Sequence, residues 1–455
     1  MKTESAQKNA ANAITEGVIW KQLLLFFFPL LFGTFFQMLY NMVDAVIVGR
    51  FVGTEALSAI GGTTSVLINL FVGLFVGLAS GATVVVAQSY GAGRSRDVEK
   101  AVHTSIVIGV LFGLLMMVFC LLFGPGMLRA MNTPESTYEE ALLYLRIYAV
   151  GMAPNMVYNM AAGILRAAGD SRRPLYFLIA STLSNIVLDT LFVVGLSMGV
   201  SGAAVATILS QLLSAVLSCL TLMRAKESYR MDLRSLRLDV PCAGKILAIG
   251  IPAGLQSMTY SLSNLFVQTA VNGFGTVTVA AWAINDKVSS LFWMIISSFG
   301  IATTTFVGQN YGAGRYERVR GCVRQSLLIT AVLTVFLSGF IVLTGRYLYS
   351  MFTPDAEVIA LGEHMILFMA PVFITYICIE VLAGTLRGMG DAFYPTVISV
   401  VGVCLLRIGW ILLAVPRMHH IDTVMFSYPL TWTVTSAFFV VYYLHYVKKN
   451  GIAGK

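Results

Sequence analysis

The stretch VVVAQSYGAGRSRDVEKAV at 84–102 returns, altered but recognisable, as TFVGQNYGAGRYERVRGCV at 305–323. The pentapeptide YGAGR is identical in both, from Tyr90 and from Tyr311, which sets an offset of 221 positions. Gln88 and Gln309 share that offset, as do LRAAGD (165–170) and LRGMGD (386–391), and so do the prolines that follow, Pro174 and Pro395. A second proline, Pro154 or Pro371, comes ahead of each LR..GD motif, after NTP and FTP turns. A constant offset across separate motifs marks a unit written twice. YGAGR itself reads as a tight turn with a basic anchor, since its glycines permit the reversal.

Each copy is built from long apolar blocks. Of 455 residues 57% are apolar and only 11% are Asp, Glu, Lys or Arg, against about 25% charged in an ordinary soluble domain. Blocks such as LINLFVGLFVGLASGATVVVA and SIVIGVLFGLLMMVFCLLFG match the roughly 20 apolar residues that a bilayer-spanning helix needs. The fold class that follows is an all-α polytopic membrane protein. Twelve spans are expected, near 21–49, 56–88, 98–123, 136–163, 174–195 and 200–223, then 245–271, 277–309, 319–345, 356–385, 393–415 and 424–447. The first block is too long for a signal-peptide core and lacks a small-residue cleavage site, so it is expected to remain as span 1.

The net charge of +8 does not point to nucleic acid, because its basic residues sit in short breaks between apolar blocks. Breaks after even-numbered spans carry most of them, including Arg94, Arg166, Arg172, Arg234 and Arg315, and the tails add Lys2, Lys8, Lys448, Lys449 and Lys455. The opposite breaks hold only Arg50, Arg129, Arg346 and Arg417. Lys and Arg favour the cytoplasmic side, so both termini are expected in the cytoplasm of a cell-membrane protein. Six spans per copy is an even number. Both copies therefore enter the membrane from the same side, as a parallel repeat about an axis along the membrane normal. The expected organisation is a tail over 1–20, a first lobe over 21–223, a basic cytoplasmic linker over 224–244, a second lobe over 245–447 and a tail over 448–455. The six cysteines are scattered without a CxxC and read as apolar fillers.

Taken together, the doubled Q.YGAGR, the doubled LR..GD, the six-plus-six spans and the GIP at 250–252 resemble the multidrug and toxic compound extrusion (MATE) family over nearly the whole chain. The resemblance implies two helical lobes around a central cleft, in a monomer. It also implies export of amphipathic, often cationic organic compounds, exchanged for protons or sodium ions by alternating access. No further cofactor and no nucleic acid is implied.

Ionisable residues inside spans are costly and functional by default. Asp44 lies some 8 Å, and Asp189 about 9 Å, from the expected outer ends of spans 1 and 5. Asn185 is one turn from Asp189 on the same face, and Thr207 in span 6 lies at a matching depth of roughly 10 Å. The set resembles the first-lobe cation site of one MATE branch, an aspartate of helix 1 with Asn-x-x-x-Asp of helix 5 and a threonine of helix 6. It would take a proton or Na+. In the second copy Asp189 becomes Trp410 and Asn185 becomes Leu406, so the copies share a scaffold but not the site. That copy carries Asp286, Lys287, Glu380 and Arg407 instead, expected either as a stabilising charge network or as cleft-facing groups. Pro29 should bend span 1 and is the expected hinge. Gln37, Tyr40, Asn41, Gln256, Tyr260 and Asn264 are the candidates for a substrate cleft, where aromatic faces suit organic cations.

Three other classes fit the residues less well. A flippase for lipid-linked saccharides would need basic cleft residues for a pyrophosphate head, and often more helices. A scaffold or receptor leaves Asp44 and Asp189 unexplained. For an enzyme the sequence offers no nucleotide loop, metal cluster or nucleophile–base motif.

Overall fold

The computed structural model describes residues 13–452; Lys2, Lys8 and Lys455 lie outside the described residues. Twelve long helices follow one another. They are α1 (Ile19–Phe51), α2 (Thr54–Gly91), α3 (Ser95–Ala130), α4 (Glu135–Val150 continued by Met152–Ala167), α5 (Arg172–Gly195) and α6 (Gly199–Met223). The second set is α7 (Val240–Asn272), α8 (Thr276–Gly312), α9 (Tyr316–Ser350), α10 (Ala356–Gly388), α11 (Phe393–Ala414) and α12 (Ile421–Lys449). Ten of them are long and apolar enough to cross a membrane. The other two are α4, interrupted at Gly151, and α7, with its many Ser, Thr, Gln and Asn residues. Outward faces are apolar, with Leu343, Phe336 and Leu122 largely exposed, as lipid contact requires.

The duplication is carried by the backbone itself. Gly93 and Gly314 both turn through the left-handed region at φ 67° and 69°, and Gly169 and Gly390 do so at 95° and 98°. Only glycine adopts these angles without strain. Each turn closes with the same bond: Arg94 N–H to Ser89 O at 3.1 Å and Arg315 N–H to Asn310 O at 2.9 Å, then Asp170 N–H to Leu165 O and Asp391 N–H to Leu386 O, both at 2.9 Å. The close helix contact repeats too. A Cβ on Gly163 would stand 2.7 Å from Thr83 Oγ1, and one on Gly384 would stand 3.0 Å from Thr304 Oγ1.

The chain folds as two compact units. Among the described residues unit 1 is 25–254, and unit 2 is 13–24 with 255–452. The units change over inside α1, after Leu24, and inside α7, after Gly254. Glycines account for the second of these. Gly250 and Gly254 let the first half of α7 lie against α2, where a Cβ on Gly250 would come 2.8 Å from Leu78 Cα and one on Gly254 3.2 Å from Leu74 Cα. At the other boundary, the carbonyl oxygens of Ile14 and Gly17 accept from Arg318 at 3.0 and 2.8 Å, and Arg315 pairs with Glu16 at 3.1 Å. That fastens the residues ahead of α1 to unit 2.

Candidate functional site

Within unit 1, α1 supplies Asp44, α5 supplies Asn185 and Asp189, and α6 supplies Thr207. Their exposures are 7%, 0%, 0% and 1%, so the four expected positions converge in the interior. Asp44 and Asp189 face each other carboxyl to carboxyl, and the Asn185 amide adjoins Asp189. One oxygen of Asp44, both oxygens of Asp189 and both amide atoms of Asn185 are buried without a hydrogen-bond partner. Buried polar groups are satisfied as a rule, so such a concentration in one place is a strong signal. Two carboxylates in contact and away from water need a positive charge between them, a shared proton or a metal cation. Carboxylate, amide and hydroxyl oxygens are the donors a hard cation takes, so the residues present fit either ion.

Local structure shapes the site. Asp170 opens α5 by accepting from the backbone N–H groups of Arg172 and Arg173 at 3.0 and 3.1 Å. Immediately after Asp189 the helix loosens into a π-helical turn over Thr190–Gly195, a departure often found at functional positions. In α11 the π-helical turn comes earlier relative to the offset, at Val400–Leu405. Nothing in the sequence pattern marks either turn. On α1 the helix runs unbroken through Pro29, whose ring removes one backbone donor one-third of the way along.

Three tyrosines complete the cluster. Tyr40, an expected cleft residue, turns inward and donates to Thr207 Oγ1 at 2.9 Å. Tyr144 of α4 adjoins Thr207 and both aspartates, and Tyr148 stacks on it with ring centroids 6.2 Å apart. Sequence reasoning missed Tyr144 and Tyr148. Their only mark is a spacing of four on one helix face, which reads equally well as core.

The remaining cleft candidates divide. Gln37, Asn41 and Asn264 are exposed. In unit 2, Gln256 donates to Tyr260 Oη at 3.1 Å and to Ser399 Oγ at 3.0 Å, so both α7 residues turn inward. Nor do the four charged residues of that unit form one network. Among the described residues no ion pair joins any two of Asp286, Lys287, Glu380 and Arg407. Glu380 pairs with Arg387 at 3.4 Å. Arg407, 3% exposed, lies 4.1 Å over the Tyr428 ring and reaches Thr431 Oγ1 at 3.3 Å. Asp286 and Lys287 are exposed; neighbours along a helix point in different directions, and neither finds the expected partner.

Comparison with known proteins identifies the scaffold. The MatE family model matches residues 29–191 and again 252–412, one match per copy. The chain belongs to the MatE family. Among curated MatE-like relatives, it is 26% identical over 443 residues to Probable multidrug resistance protein YoeA of Bacillus subtilis strain 168, covering 95% of each chain. It is 26% identical over 395 residues to Probable multidrug resistance protein NorM of Thermotoga maritima, covering 86% of this chain and 84% of that one. Among solved structures, a MOP superfamily transporter from Pyrococcus furiosus superposes with a TM-score of 0.90 at 20% identity, over 97% of this chain and 98% of that one. MATE in its bent conformation does so with 0.90 at 20% identity, over 98% and 99%. At such identities these two establish the fold.

Proposed function

We propose that this MatE-family protein is a secondary antiporter that exports amphipathic, often cationic organic compounds in exchange for protons or sodium ions. In this reading Asp44 and Asp189 hold the coupling ion, and Asn185 and Thr207 assist. The observation that carries it is the buried, unpartnered oxygen cluster of Asp44, Asn185 and Asp189. Its export of toxic compounds is supported by the names of its relatives, which are multidrug resistance proteins. Neutralising the pair removes a repulsion inside unit 1 and favours a different setting of α1, for which Pro29 is the natural pivot. Coupling requires the ion and the substrate to prefer different states, since equal affinity for both shifts nothing. The two-lobe alternating-access scheme and a cytoplasmic placement of both termini, argued from the basic-residue bias, belong to the same proposal. The flippase alternative loses ground to the MatE match.

The test is efflux of a fluorescent cationic dye from proteoliposomes under a pH gradient and, separately, a sodium gradient. One gradient should drive export by the wild type, and Asp44→Asn should abolish that drive while the protein still folds and inserts. Near wild-type export by both Asp44→Asn and Asp189→Asn would move the coupling site elsewhere, with Glu380 the next candidate.

A further inference from the structure

The segment between α6 and α7 is no slack tether. It is pinned to unit 1 along its length. Glu227 accepts from Tyr90 Oη at 2.7 Å, Met231 N–H bonds Leu222 O at 3.1 Å, Asp232 N–H bonds His103 Nε2 at 3.0 Å, and Asp239 N–H bonds Thr104 Oγ1 at 3.1 Å. Lys100 reaches Asp239 at 3.5 Å. Asp232 also accepts from Arg234 N–H and caps a single 3-10 turn at Leu233–Ser235. Between this strap and the start of α3 lies a cavity of about 500 Å³, lined by Arg96, Glu99, Lys100 and His103 of α3 and by Arg234, Ser235, Leu236 and Arg237 of the strap.

Two properties of the cavity point to one kind of occupant. The first is charge. Four basic side chains face one carboxylate, Glu99, and the nearby Asp232 and Asp239 are engaged by backbone and by Lys100. Arg96, Arg234 and Arg237 make no ion pair among the described residues. At its floor is His103, 3% exposed; because its Nε2 accepts from Asp232, the neutral ring carries its proton on Nδ1 and can donate from there. The second property is the apolar character of the strap that walls it. Leu233 and Leu238 adjoin Arg234 and Arg237 in sequence and Val240 opens α7, with exposures of 58%, 45% and 72%, which water alone does not favour. Depth fits both. The uninterrupted apolar run of α3 begins at Ile106, three residues beyond His103, so the cavity sits about 4.5 Å from the hydrocarbon edge, at headgroup level.

We propose that this cavity is a headgroup site for an anionic phospholipid. Arg96, Arg234 and Arg237 take the phosphate, as arginine forks do, and the exposed leucines and Val240 lie among the acyl chains. The occupant is a lipid rather than a soluble phosphate because the strap exposes apolar side chains next to its arginines. The inference depends on the chain lying in a membrane and not on the cation site, so each fails separately. Bound lipid would hold the strap, and through it the first turn of α7, against unit 1.

The test is native mass spectrometry of the delipidated full chain in detergent, titrated with phosphatidylglycerol, phosphatidylcholine, glycerol 3-phosphate and inorganic phosphate. Phosphatidylglycerol should bind in preference to phosphatidylcholine. Arg234→Gln with Arg237→Gln should weaken it by about fivefold per charge removed. Lys448→Gln with Lys449→Gln, an equal loss of charge in the last turn of α12, should leave it unchanged. These arginines are exposed, so the lipid-free melting temperature should match wild type. Equal weakening by both double variants would mean diffuse attraction and overturn the site. No preference for phosphatidylglycerol would overturn it too, and binding of glycerol 3-phosphate or inorganic phosphate with equal strength would replace the lipid by a soluble phosphate ligand.

Discussion

Unit 1 and unit 2 share a backbone and differ in the sign of what they bury. In unit 1 the interior holds Asp44 and Asp189 against each other, with no basic partner among the described residues. In unit 2 the position equivalent to Asp189 is Trp410, which donates to Thr423 O at 2.8 Å, and the position equivalent to Thr207 is Tyr428, whose ring carries the Arg407 guanidinium. Farther along, Arg166 and Arg387 occupy equivalent places, but Glu380 stands where unit 1 has Asn159. Duplication has preserved turns, glycine contacts and breaks, while the charged positions were free to diverge. A buried acid pair has a use for a cation; a buried guanidinium held by a ring face does not.

The sharpest way to break this contrast is to neutralise each unit's buried charge in turn. Asp189→Asn should reduce gradient-driven export to background, as Asp44→Asn does, and the double variant should be little worse than either, because groups that act as one unit are not additive. Arg407→Met should leave ion-coupled export measurable. If Arg407→Met abolishes coupling and the aspartate variants do not, the roles of the units are reversed.

Stability separates Arg387 from Arg407 in unit 2. Arg387→Met strands Glu380, and breaking such a pair costs about 3–5 kcal/mol when fully buried; with side chains 16% and 19% exposed the lower end is expected. Arg407→Met removes a charge that makes no ion pair among the described residues. The ring contact it gives up is worth about 2 kcal/mol, and relief of desolvation offsets it. Melting in detergent should therefore fall clearly for Arg387→Met and hardly for Arg407→Met. Equal losses would show that Arg407 does have an acidic partner.

Where the units agree, matched substitutions should agree as well. Gly163→Ala puts a methyl group against Thr83, and Gly384→Ala puts one against Thr304 and the Gly300 carbonyl. Overpacking of this kind costs about 1–3 kcal/mol. Comparable melting losses in the two variants would confirm that the duplicated contact is also an energetic one; a loss confined to one would limit the symmetry to backbone geometry.

Much of this was legible in the sequence. Offset and glycine pattern gave the doubled unit, and apolar length gave the helices, because both follow from local rules. Asp44, Asn185, Asp189 and Thr207 could be placed together because helical rise converts position into depth. Partnerships were not legible. Glu380 chose Arg387, seven residues on along its own helix, over Arg407, and nothing in a linear pattern distinguishes those options. Tyr40 is a cleft candidate by its place on span 1, yet depth alone does not say which way a side chain turns.

The smallest expected effect tests whether Tyr40 belongs to the acidic cluster or merely borders it. Tyr40→Phe keeps the ring and deletes the donor to Thr207 Oγ1. The hydroxyl bond is worth about 1 kcal/mol, so melting should fall only slightly and folding should survive. Thr207 then loses its bond from Tyr40. The ion gradient needed for half-maximal export should shift while maximal export persists. Tyr428→Phe, at the place in unit 2 that corresponds to Thr207, leaves the face on which Arg407 rests intact, and the gradient dependence should not move. A shift in the second variant and none in the first would mean that Thr207 does not serve the ion, and that unit 2 senses the gradient through Arg407.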